Sequence, residues 1–331
     1  MKALQPHQRS ERSIRSWLTR AVPISLVAVL LILLPLILNG YWISLISLGL
    51  VYSVAAGGFN IILGWAGQLA FTGAMYFGMG AFVTGFAISK LVIWAEPALL
   101  VGILGGAALG AITGLLVMRL KRYYLAIATL ALMFLLDYFY TNTPDVTGGV
   151  SGFLVPSPYF ILLAGGQVND VVARYYVSAI VALIAFAFLS YLRSSQLARG
   201  WRTLRVSEPA AQAVGIRVYR SKVYASVFSG GVMGFAGGWF VVLVGIFLPS
   251  SYRLEELLFL FLILVVGGLG SVRGVALSAI ILVITREYLR GFIGLSELLF
   301  GLMLLVIVLF FQRGIYGTLA AKFSRLREPV A

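Results

Sequence analysis

The chain has 331 residues, a formal net charge of +14 and no cysteine. Hydrophobic residues make up 61% and charged residues 11%, with a mean hydropathy of +1.00, whereas a soluble domain carries about 25% charged residues. That balance excludes a soluble globular domain and describes a polytopic membrane protein; the missing cysteines exclude disulfides, thiolate metal sites and cysteine nucleophiles. The one histidine, His7, lies in the polar N-terminal tail and leaves no basis for histidine catalysis. The 37 glycines suit helices that pack closely in lipid, where burial of apolar surface does not drive association.

Residues 1–21 form a basic tail too polar for a signal peptide, so the apolar run that follows reads as a first span. Apolar segments then fall near 22–38, 41–63, 66–90, 97–118, 123–140, 174–193, 222–247, 256–270, 274–289 and 294–311. Several approach the ~20 residues needed to cross a bilayer. The segments at 256–270 and 274–289 are short, and Gly267-Gly268-Leu269-Gly270-Ser271 separates them. They form either two short crossings or one broken, re-entrant element, because irregular backbone at that depth must pack in protein or line a cavity. The expected fold is an all-α transmembrane bundle of about eight to ten spans. The permease domain covers 22–311, and a basic tail follows at 312–331.

Orientation follows from the basic residues. With the N-terminus in the cytosol and ten crossings, 20 of the 25 basic residues fall inside, leaving Lys90, Arg174, Arg253, Arg286 and Arg290 outside. Eight spans with a re-entrant pair keep the same parity. Topology thus accounts for the positive charge without a nucleic-acid partner.

Four segments are candidate sites. Asn60 and Gln68 flank a run of small residues and serve either as interhelical glue or as the lining of a substrate pathway. In the connection 141–173, Thr147-Gly148-Gly149 allows close backbone approach and could seal the outer mouth, or be an ordinary turn. Asp137 is an acid inside an apolar run, which raises a proton relay, although it sits near the outer end of its span. Gly267, Gly268, Gly270 and Ser271 form a break, and without a lysine followed by Ser or Thr it is not a phosphate-binding Walker loop. The chain should not hydrolyse ATP.

The segment 194–221 is the substantial cytosolic connection. Within 193–222 lie seven basic residues and one acid, Glu208. Here 207–215 reads as a compact helix, with Ser207 as N-cap, Glu208 near the positive helix end and Gly215 as the C-terminal left-handed residue. At ~10 Å it is too short to be stable alone, so it should dock.

Taken together, GWAGQLAFTG preceded by Asn60, the 122–130 run RYYLAIATL, the TGGVSGF loop, 204–222, GGLGSVRG and Arg313-Gly314 occur in an order and spacing that resembles the permease subunits of ABC importers for branched-chain amino acids, of the Liv-M type. Related urea and short-amide permeases share the pattern. The resemblance implies a second permease subunit, two ATPase subunits that use ATP and Mg, and an extracytoplasmic binding protein; this chain binds no cofactor and sits in the inner membrane. It also implies that 204–222 holds the coupling helix, with Arg205, Glu208, Ala211 and Gly215 at the ATPase contact. Four positions depart from the family pattern: Pro209, Val275, Gln312 and Phe134. The last stands where an acid is common, so another amino acid, an amide or a more apolar ligand is an alternative substrate. Separately, the rival expectation is a gradient-driven transporter built around Asp137.

Overall fold

The computed structural model describes residues 33–35, 37–157, 159–160, 166–167 and 171–291, with 298, 301–302 and 305–306. The expected spans at 22–38 and 294–311 and both terminal tails lie largely or wholly outside these residues.

Helix dominates because backbone in lipid has no water to bond and must satisfy itself. In chain order the helices are α1 Gly40–Asn60, α2 Gly73–Lys90, α3 Ala95–Val117, α4 Arg122–Asn142, a one-turn α5 Pro144–Thr147, α6 Val171–Ser194, α7 Gln196–Val206, α8 Glu208–Ala213, α9 Val218–Val244, α10 Leu254–Gly267 and α11 Val272–Arg290. Among the described residues, five helices are long and apolar enough to cross a membrane: α1 with its extension to Trp65, α3, α4, α6 and α9. The chain is a multi-pass, all-α membrane protein.

Small residues set close contacts between helices. On α3 and α9, a Cβ added at Gly106 would strike the Gly230 carbonyl, and one at Gly230 would strike Gly106. Only glycine lets the two backbones approach this closely. A triad of hydroxyls ties the same layer to α2: Tyr76 bonds Thr113 and, at 2.6 Å, Ser226.

Two features differ from the sequence reading. Helix α2 starts only at Gly73, so 66–72 runs through the bundle as irregular backbone; Phe71 N donates to Thr129 Oγ1 at 2.9 Å to satisfy part of it. Two small antiparallel ladders also interrupt the all-helical pattern, β1 Phe153–Leu154 with β4 Ile246–Phe247, and β2 Tyr159–Phe160 with β3 Gly166–Gln167. The first brings Phe153 opposite Phe247.

Across 256–289 the chain folds as an antiparallel helical hairpin, a form that two short crossings and a re-entrant pair share. Ser278 Oγ on α11 donates to Ile263 O on α10 at 2.8 Å. Farther from the tip, Arg286 pairs with Glu256 at 3.0 Å. The hairpin tip, 268–271, therefore points to the bundle end that holds Arg205, and Arg253 marks the opposite end.

Candidate functional site

The Arg205 end gathers residues from four distant parts of the chain. Helix α1 closes with a wider turn, Ile61–Trp65, which aims Asn60 and Trp65 at the hairpin tip. Asn60 Oδ1 accepts from Gly270 N at 2.8 Å, and Asn60 Nδ2 donates to Ser271 O at 3.3 Å. Trp65 Nε1 donates to Gly270 O at 3.2 Å. Gly64 makes this approach possible, since a Cβ there would lie 2.7 Å from Gly270 N. Gly268 and Gly270 take positive φ, and Ser271 caps α11 by accepting from Gly274 N at 3.0 Å. Gly267 ends α10 with its Cα hydrogens against Val275, where a Cβ would sit 2.6 Å away.

Arg205, in the last turn of α7, reaches into this cluster. Its guanidinium donates to Gly64 O and, at 3.5 Å, to Leu269 O. Thus one side chain bridges α1 and the hairpin tip. Sequence reasoning missed helix α7, because the basic residues conceal its pattern: Ala198, Trp201 and Leu204 are buried at a spacing of three. Trp201 stacks on Trp65, with ring centroids 6.5 Å apart, and donates to Ser221 O at 2.9 Å. Arg202 ties α7 back to α6 by donating to Arg193 O at 3.2 Å. Partial burial, then the charges of Arg193 and Arg199, lower its pKa below the usual arginine range.

The short helix predicted after Ser207 is present as α8. Ser207 Oγ accepts from Ala210 N at 3.4 Å, Pro209 occupies the first turn, and Gly215 has a φ of +81°. The helix is docked through its own chain: Glu208 pairs with Lys222 at 2.6 Å, with the lysine side chain 7% and the glutamate 48% exposed. Ala211 requires a correction. The expectation puts it at a partner contact, yet it is fully buried against its own chain, because one face of so short a helix must dock to hold it. Gly215 lies open, with no atom within 4 Å of where a Cβ would stand. A cleft of about 280 Å³ remains between α8 and the irregular segment, lined by Gly67, Gln68, Arg205, Glu208 and Pro209 among others.

The other expected pathway residues are separated from this cluster or enclosed within it. Asn60 is fully buried and faces the hairpin tip rather than an open path. Gln68 lines the cleft while donating to Ala66 O at 3.0 Å. Thr147, Gly148 and Gly149 lie at the Arg253 end. There Thr147 Oγ1 donates to Tyr140 O at 2.6 Å and accepts from Gly149 N at 3.2 Å, folding the loop onto the end of α4. Asp137, at the same end, pairs with Arg253 at 3.0 Å.

Sequence reasoning also missed a buried ion pair. Glu256 and Arg286 meet across the hairpin at 3.0 Å, with side chains 6% and 28% exposed. Glu256 starts an apolar run and Arg286 ends one, so each resembles an interfacial charge until the hairpin pairs them. Phe134, by contrast, points away from the core and is exposed. Among the described residues no three His, Cys, Asp or Glu side chains gather to hold a metal.

The family described as branched-chain amino acid transport system / permease component matches residues 41–311. The high-affinity branched-chain amino acid transport system permease protein LivM of Escherichia coli is 28% identical, over 87% of this chain and 72% of that protein. Its namesake in Salmonella typhimurium is 27% identical, over 82% and 69%. A probable branched-chain amino acid transport permease protein LivM of Methanocaldococcus jannaschii is 26% identical, over 73% and 77%. No solved structure matches the chain. With the match spanning α1 through α11 and the hairpin between them, the chain belongs to the family of branched-chain amino acid transport system permease components.

Proposed function

We propose that this chain is a membrane-spanning permease subunit of an ABC importer for branched-chain amino acids. The observation that carries the reading is the family match across the bundle, joined to relatives named as permeases of that transport system. The importer works by alternating access, and separate ATPase subunits hydrolyse ATP. A second permease subunit and an extracytoplasmic binding protein complete it.

The Arg205 end is then cytosolic, which agrees with its basic residues. Helices α7 and α8 form the lever on which the ATPases act, with Glu208 and Gly215 on the accessible side and Ala211 holding the helix to its own chain. Arg205 carries displacement of that lever to Gly64 and to the hairpin tip at Leu269. The Arg253 end faces outward, where Phe153, Phe247 and the 147–149 turn close the mouth.

Uptake by a strain lacking this gene, complemented with the wild-type chain, tests the substrate. Leucine, isoleucine and valine are expected to be taken up and to compete with one another, while urea and acetamide are not. Restored urea or amide uptake without leucine uptake would contradict the assignment.

A further inference from the structure

The charged pair Glu256–Arg286 is too deep to be an ordinary surface bridge and is incompletely used. Glu256 Oε2 binds Arg286, but Glu256 Oε1 is buried with no hydrogen-bond partner. Four residues earlier, the Tyr252 hydroxyl is likewise buried and unpartnered. Buried polar atoms are normally satisfied, and each orphan costs about 1–3 kcal/mol, so two orphans four residues apart, one of them a carboxylate oxygen, need an explanation.

The surroundings supply one. Tyr252 packs against Phe77 at 5.8 Å and Phe240 at 6.2 Å, while Tyr52 packs against the same two rings and, at 5.2 Å, Phe259. The Arg286 guanidinium lies 4.5 Å from the Phe259 centroid. Helices α1, α2, α9 and α10 thus converge on one carboxylate, one guanidinium and a set of ring faces. Above them the Phe153–Phe247 and Phe247–Tyr252 stacks, each 5.2 Å between centroids, form the closed mouth. Tyr252 belongs to both the seal and the cluster.

We infer that Glu256, Arg286 and Tyr252 form a zwitterion-recognition site beneath the outer seal. Glu256 Oε1 and the Tyr252 hydroxyl oxygen accept from a substrate ammonium, and Arg286 donates to its carboxylate. A zwitterion inserted into the existing pair replaces one ion pair by two and changes no net charge, so no unpaired charge is created in a medium that penalises one heavily. The aromatic faces favour an ammonium as well. This assignment rests on the amino-acid reading above and deepens it. It also places a carboxylate in the pathway despite Phe134, from a different helix.

The test uses the complete reconstituted transporter. Tyr252→Phe removes only the orphan hydroxyl, so thermal stability should hold or improve, while KM for leucine rises about fivefold, the value of one hydrogen bond. In Glu256→Gln, competition against radiolabelled leucine on the purified transporter without binding protein should show the preference for leucine over its des-amino analogue, 4-methylpentanoate, reduced about tenfold or more. A purely structural pair predicts otherwise: lower stability for Glu256→Gln with that preference unchanged, and wild-type KM for Tyr252→Phe. Either the unchanged KM or the unchanged preference overturns the site. A wild type that ignores leucine and takes up urea instead overturns the functional reading first, and is recognised without any variant.

Discussion

Asn60 and Gly270, 210 positions apart, are joined by a 2.8 Å hydrogen bond from the Gly270 amide to the Asn60 side chain. With the 3.3 Å bond from Asn60 Nδ2 to Ser271 O, it locks the hairpin tip to the end of α1. Asn60→Ala leaves a buried donor and acceptor unpaired at a cost of about 1–3 kcal/mol. A lower midpoint in thermal unfolding of the purified transporter, with Asn60→Asp falling between the two because it keeps the acceptor, is the expected result.

Arg205 is the strut between the basic segment and the hairpin. Arg205→Met keeps much of the side-chain length while deleting the bonds to Gly64 and Leu269. The ATPases should still co-purify and hydrolyse ATP, but leucine uptake should drop about tenfold or more; each tenfold corresponds to about 1.4 kcal/mol of lost coupling. Loss of ATPase binding instead would make Arg205 a docking residue and not a transmitter.

The bond between Glu208 and Lys222 determines how α8 is held. Glu208→Lys sets two positive charges together where one is almost fully buried, and it should loosen α8, seen as faster proteolysis within 207–217 and weaker ATPase recovery. Adding Lys222→Glu restores the pair in reverse and should recover both. If Glu208 contacts only an ATPase, the swap will not rescue.

Gly152 and Gly215 separate two costs of adding a methyl group. Both have positive φ, but a Cβ at Gly152 would collide with Phe247 O, whereas nothing lies within 4 Å at Gly215. Gly215→Ala should cost only the left-handed penalty of about 1 kcal/mol. Gly152→Ala must also break the β1–β4 ladder, so it should show the larger fall in unfolding midpoint and a leak of solute through the outer mouth.

Helix α8 was legible in the sequence, because Ser207 and Gly215 act on their nearest neighbours. Most of the spans were too, since length and hydropathy suffice for a helix in lipid. Helix α7 carried a signal at Ala198, Trp201 and Leu204 that the four arginines of 193–205 masked. The β1–β4 ladder and the Glu256–Arg286 pair had no local signature. Phe153 and Phe247 meet only after α6 to α9 have folded, and Glu256 and Arg286 only when the hairpin closes. Asn60 illustrates the same limit, since its partners lie at the far tip of that hairpin.

Asp137 distinguishes the two energy sources. Its bridge to Arg253 is partly exposed, and pairs of that kind contribute little, about 0–1 kcal/mol. Asp137→Asn should leave leucine uptake near wild type, as measured in intact cells. A gradient-driven carrier that relays protons through Asp137 would lose transport.

The most direct measurement is leucine uptake into proteoliposomes that contain the complete transporter, with proton and sodium gradients collapsed by ionophores. ATP supplied on the ATPase side, together with the binding protein, should drive accumulation, and a non-hydrolysable ATP analogue should not. Accumulation driven by an ion gradient in the absence of ATP would contradict the account.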